Sequence, residues 1–143
     1  MTRKTGSPID PDTWRELSIS VGEINNKLEQ ELSEQCDLLR SEFDLMGALL
    51  RSRAEQLRMS ELLKQLLITP SGLTRIVDRL VRKRLLRKLA VSDDKRGAAV
   101  ALLPRGLAVY LRAKDVCSEV LRSVDLDGSL IAQLAKRSRV VTD

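Results

Sequence analysis

The sequence predicts a mainly α chain with one short β-hairpin, and three observations carry that prediction. Near both ends, apolar residues recur at intervals of three and four, the period of a helix packed along one face. In the middle, Thr69-Pro70 separates two short apolar-striped segments, as where one helix stops and another starts. Beyond them two apolar runs flank Ser92-Asp93-Asp94-Lys95-Arg96-Gly97, and Ser, Asp and Gly there suit a hairpin turn.

Residues 1–9 read as a flexible tail. Asp10 then suits a helix N-cap and Pro11 the first helical position, where no amide hydrogen is needed. Trp14, Leu17, Val21, Ile24, Leu28 and Leu32 form one seam of this helix, and Glu, Asn and Gln cover its other faces. A long terminal helix of a small protein has little of its own domain to lie against, so the seam points to a partner chain. Ser41-Glu42-Phe43-Asp44 fits a capping box, Phe43 to Leu50 a short buried helix, and the polar stretch from Arg51 to Arg58 a connection.

Ser60 is the expected cap of a helix bearing Leu62, Leu63, Leu66 and Leu67. Thr69 and Pro70 open the next one, in which Leu73, Ile76, Val77 and Leu80 share a face. Its opposite face carries Ser71, Thr74, Arg75, Asp78, Arg79 and Arg82. Two short helices, the second with an apolar back and a hydroxyl-and-arginine front, make a helix-turn-helix. The strands predicted at residues 86–91 and 98–103 add a wing tipped by Lys95 and Arg96, which makes the lobe a winged helix-turn-helix. A long helix follows from Pro104 to about Ser123, striped by Leu107, Tyr110, Leu111, Val116, Val120 and Leu121. Leu126-Asp127-Gly128-Ser129 breaks it, and Leu130, Ile131 and Leu134 suit a last short helix.

Charge is distributed unevenly. The 143 residues carry 25 Lys or Arg and 20 Asp or Glu, a net +5, yet residues 75–96 alone hold +6 and residues 1–50 hold −5. A basic excess concentrated on a helix and a wing is a polyanion footprint. Arg75, Arg79 and Arg82 recur along one stripe and can reach base edges and phosphates together, while Arg82, Lys83, Arg84, Arg87 and Lys88 are assigned mainly to phosphates. The absence of histidine removes Ser-His-Asp and Cys-His catalysis and His-bearing metal sites. Cys36 and Cys117 are too few for a disulfide framework or a metal cluster. With no signal-type segment and no span-length apolar run, the expected location is the cytoplasm.

The order helix, helix, helix-turn-helix, wing, helix resembles the multiple-antibiotic-resistance regulator (MarR) family of transcription factors. Met59-Ser60-Glu61-Leu62-Leu63, Thr69 to Leu80, Asp93-Asp94-Lys95-Arg96-Gly97 and Leu102-Leu103-Pro104-Arg105-Gly106 carry the resemblance. It implies one domain over 10–143, with dimerisation helices at 10–40 and 104–143 around a DNA-binding lobe at 41–103. It implies double-stranded DNA and a second copy of the chain as partners, with Ser71, Gly72, Thr74, Arg75, Arg79 and Arg82 in the major groove and Lys95 and Arg96 on the wing. Arg84 stands where the family commonly has Gly, and Leu103 where it commonly has a capping Thr. Relatives that respond to urate or phenolic acids imply a small-molecule effector near Trp14, Asp44 and Arg51, although a capping role for Asp44 needs no ligand. Expected too are a repressor rather than an enzyme, no cofactor, no metal and no membrane contact. The alternatives are an oxidant-responsive regulator acting through Cys36 or Cys117, and a winged-helix module that binds protein.

Overall fold

The computed structural model describes residues 9–90 and 97–124. Five helices and three short strands follow in the order α1 (Pro11–Cys36), α2 (Arg40–Arg51), β1 (Leu57–Arg58), α3 (Met59–Gln65), α4 (Pro70–Arg82), β2 (Leu86–Ala90), β3 (Ala98–Leu102) and α5 (Pro104–Arg122). Residues 1–8 of the tail predicted over 1–9, the hairpin tip with Lys95 and Arg96, and the helix expected around Leu130 to Leu134 lie outside the described residues.

Helix α1 begins as its sequence dictates. Asp10 Oδ1 accepts from the amides of Asp12 and Thr13, each at 3.0 Å, and Pro11 occupies the first turn. The α1 seam is buried only at its C-terminal end. Leu28 and Leu32 join the core, Leu17 and Ile24 are half-buried, and Trp14 and Val21 are 59% and 41% exposed. Along α5, the helix α1 packs on, the buried stripe is Gly106, Tyr110, Ala113, Cys117 and Val120. Leu107, Leu111 and Leu121, read with Tyr110 and Val120 as one stripe, are exposed. An amphipathic period fixes a face; small residues at 106 and 113 let the neighbouring chain come close and so select which face turns inward.

Two caps differ from expectation. Helix α2 starts at Arg40 rather than near Phe43, and the acid that turns back on its first turn is Glu42, whose Oε1 accepts from the Leu39 amide at 3.0 Å. Asp44 lies a further turn along and pairs with Arg40, Nε to Oδ1 at 3.3 Å. Ser60 sits inside α3 and caps nothing, since Arg58 precedes that helix without a side-chain cap. The segment read as a connection also contributes β1, which pairs antiparallel with β3 (Leu57 opposite Val100, Arg58 opposite Ala99). Two residues are too short a run to show alternation in sequence. The sheet order is β1-β3-β2, with Leu86 opposite Leu102 and Ala90 opposite Ala98.

The end of α4 is a Schellman motif. The Arg84 amide donates to Val81 O and the Leu85 amide to Leu80 O, each at 3.0 Å, with Arg84 left-handed at φ 61°. The backbone has therefore kept a glycine conformation without the glycine, and the penalty of a left-handed L-residue is about 1 kcal/mol. Leu103, at the N-cap of α5, supplies no side-chain hydrogen bond. Gly106 has a different reason for being glycine: a Cβ there would sit 2.2 Å from Leu85 O. The start of α5 is thus pressed directly on the chain leaving α4.

Candidate nucleic-acid interface and effector cleft

Helix α4 is fixed from behind. Leu73, Ile76, Val77 and Leu80 are at most 5% exposed, all within the single core cluster that also holds Leu45, Met46 and Leu62. Thr69 Oγ1 accepts from the Gly72 amide at 3.1 Å, and Pro70 opens the first turn. A Cβ on Gly72 would come within 3.1 Å of that same hydroxyl, so the small residue leaves the cap room. The front is then free to face outward. Ser71, Thr74, Arg75, Asp78 and Arg82 are exposed, and Arg79 is half-buried.

The electrostatics of that front decide between a solvated face and a binding face. Asp78 is spaced three and four residues from Arg75 and Arg82 to neutralise them, yet among the described residues neither ion pair forms. The Nε of Arg79 is buried and has no hydrogen-bond partner. A desolvated donor without an acceptor is costly by about 1–3 kcal/mol, and an incoming anion or base edge relieves the cost. Arg84, Arg87 and Lys88 extend the positive surface from the end of α4 onto β2, all exposed. Lys83 does not join them. Its ammonium turns inward to Asp37 O and to Glu42, whose Oε1 and Oε2 are each 3.2 Å away, and the role read for it from sequence as a phosphate contact gives way to an internal one.

Asp44 and Arg51 meet at a cleft of about 370 Å³ between α2 and the helix-turn-helix. Ser41 lines it beside them, and Leu66, Ile68 and Ile76 supply apolar wall. Arg51 is exposed, and its Nη1 lies 2.9 Å from where a Cβ on Gly47 would stand. The same missing side chain admits the Tyr110 hydroxyl, whose ring stacks on Phe43 with centroids 5.0 Å apart. Glycine at 47 therefore lets a cation and an aromatic pair share one side of α2. Trp14 does not line the cleft. Arg40, the ion-pair partner of Asp44, bonds Asn25 on α1, and Trp14 lies eleven residues before Asn25, about 16 Å along the helix.

Neither cysteine lines the cleft or stands on the α4 front. Burial pushes the Cys36 and Cys117 thiols above the usual thiol range, against the opposing pull of Arg112 on Cys36 and of Arg40 on Cys117. A thiol held protonated is a poor nucleophile toward oxidants. Among the described residues no group of three or more Cys, Asp or Glu side chains could hold a metal ion, and no helix is long and apolar enough to cross a membrane.

Comparison with known proteins places this geometry. A MarR family model matches residues 37–97, from just after α1 to just before β3. No curated protein matches the sequence. A MarR family transcriptional regulator from Streptomyces coelicolor, solved in complex with DNA, is 24% identical with a TM-score of 0.79, over 94% of this chain and 92% of that one. Wild-type MarR from E. coli in its apo form is 26% identical with a TM-score of 0.68, over 95% and 100%. BpsR from Bordetella bronchiseptica, whose DNA binding is regulated by 6-hydroxynicotinic acid, is 17% identical with a TM-score of 0.74, over 92% and 99%.

Proposed function

We propose that the chain is a MarR family member and works as a dimeric transcriptional regulator that binds a pseudo-palindromic DNA operator. The observation that carries this reading is the α4 front: three arginines on one stripe, with no ion pair among the described residues, on a helix whose back is locked in the core. Arg75 and Arg79 read bases, Ser71, Gly72, Thr74 and Arg82 complete the groove contact, and Lys95 and Arg96 reach DNA from the wing. The exposed apolar residues of α1 and α5, Trp14, Val21, Leu111 and Leu121 among them, are what a second copy covers. The protein acts in the cytoplasm as a repressor, with no catalytic role.

The effector reading rests on Arg51. Asp44 is neutralised by Arg40, whereas no ion pair of Arg51 exists among the described residues, so the cleft presents one cation over an apolar wall. That chemistry suits a small monoanion with an apolar body. Trp14 takes no part within one chain. The raised thiol values of Cys36 and Cys117 argue against the oxidant-responsive alternative.

Gel shifts with DNA from beside the gene, across a salt series, test the reading. Specific retardation that falls steeply with salt is expected. Arg75→Ala with Arg79→Ala should weaken operator binding by about 2–6 kcal/mol, at about 1–3 kcal/mol for each base contact, and relax sequence preference. No retardation above non-specific competitor would instead favour a module that binds an acidic protein.

A further inference from the structure

Glu42 is the one charged side chain among the described residues with no exposure at all. It lies in the first turn of α2, and a single ammonium meets it there. Lys83 Nζ is 3.2 Å from Oε1 and 3.2 Å from Oε2, the second contact without a directed hydrogen bond. The same Nζ donates to the backbone carbonyl of Asp37, the left-handed residue that ends α1 (φ 51°), and sits 4.0 Å from its carboxylate. Glu42 Oε1 in turn holds the Leu39 amide at 3.0 Å. Lys83 is itself the C-cap of α4. The end of α1, the start of α2 and the end of the DNA-facing helix therefore converge on one nitrogen, across 41 residues of sequence.

We infer that the Lys83–Glu42–Asp37 joint is the positioning device that sets the recognition helix against the α1–α2 elbow, and so fixes the half-site spacing the dimer accepts. The inference rests on the DNA-binding reading above. Apolar contact between α4 and α2 is non-directional and tolerates rolling of one helix on the other. A hydrogen-bonded ion pair with one partner fully buried and the other half-buried favours one separation and one rotation, and register is the best-attested use of such pairs. The position within the fold gives the constraint leverage. Lys83 marks the end of the reading helix, and Asp37 the end of the helix whose exposed seam faces a second copy. Fixing one to the other fixes the distance between the two reading helices of a dimer, which half-sites about one DNA turn apart require. A lysine used only for phosphates would be exposed and free, as Arg84 and Lys88 are.

The test uses the full chain and an operator selected with it from random DNA. Operators with one base pair inserted or deleted between the half-sites are then compared with the selected one. The parent should bind the altered spacings about tenfold or more weakly. Glu42→Gln with Lys83→Met removes both charges and keeps an acceptor for the Leu39 amide. It should bind all three spacings within about threefold of one another while staying folded by thermal unfolding. Lys83→Arg, which keeps a cation for Glu42, should restore the parent's discrimination. If the first pair fails to fold, Glu42→Leu with Lys83→Met takes its place in the same comparison. An undiminished spacing penalty in a folded charge-free variant overturns the joint and leaves the DNA-binding reading intact. A parent chain that selects no sequence overturns both.

Discussion

Helices α1 and α4 carry the same kind of apolar stripe and meet different fates. All four apolar residues expected on the back of α4 are buried, while of six on the α1 seam only Leu28 and Leu32 are. The difference lies in where the complement resides. α4 finds its partners within the same chain, from Leu45 and Met46 on α2 to Leu62 on α3, whereas α1 keeps Trp14 and Val21 exposed in its N-terminal half. A periodic stripe therefore shows that a surface is to be covered without showing by which chain.

Truncating each stripe sharpens this contrast most. Leu32→Ala, at a fully buried position, should cost about 2–5 kcal/mol of stability in chemical unfolding. Val21→Ala should change the fold of one protomer by no more than about 0.5 kcal/mol and instead raise the dimer dissociation constant in sedimentation. Equal losses at both positions would mean that α1 is covered within its own chain.

Gly106→Ala probes the junction between the DNA-facing lobe and α5. A Cβ 2.2 Å from a carbonyl oxygen forces backbone movement, and about 1–3 kcal/mol should be lost, read as a lower Tm. Arg84→Gly at the end of α4 should act in the opposite sense. Relief of the left-handed arginine, less the entropy of a new glycine, leaves a gain of about 0.5–1 kcal/mol and a higher Tm. The same change removes a positive charge from the basic surface, so tighter folding should accompany slightly weaker non-specific DNA binding.

The smallest effect sits at the far end of α1. The Thr13 amide, then its hydroxyl, then the Asp12 amide hold the Asp10 carboxyl below its ordinary range. A depressed value in the folded helix means its contribution is present above the ordinary aspartate pKa and is lost as pH falls through the folded one. The Thr13 amide resonance should shift at a lower pH than a free aspartate titrates, and Asp10→Asn should abolish that step. A step at the ordinary value would show that the cap does not form.

Much of the lobe was legible because its determinants are local. Thr69-Pro70 starts a helix by capping and ring geometry, and the intervals from Leu73 to Leu80 place one face inward whatever surrounds them. Asp44 was harder. Ser41 to Asp44 matches the capping pattern, yet the helix starts after Leu39, whose side chain cannot cap, and Glu42, buried against Lys83, holds the Leu39 amide. The candidate cleft divided in the same way: Asp44 and Arg51, seven residues apart on one helix, had to share a side of it, whereas the distance from Trp14 depended on how α1 crosses α2.

By itself, then, the sequence determined the order of the described helices and the hairpin, the helix starts at Asp10 and Thr69 and the arginine front of α4. Each follows from neighbours within about one turn, where hydrogen bonds and sterics act without regard to the rest of the chain. Tertiary structure decided that β1 joins the hairpin, that α5 turns Tyr110 and Cys117 inward rather than Leu107 and Leu111, and that Lys83 faces the core. A flexible four-carbon stem beside several arginines carries no local mark of its direction. Only a buried carboxylate 41 residues away, brought within 3.2 Å by the packing of α2, gives that ammonium a better place than water.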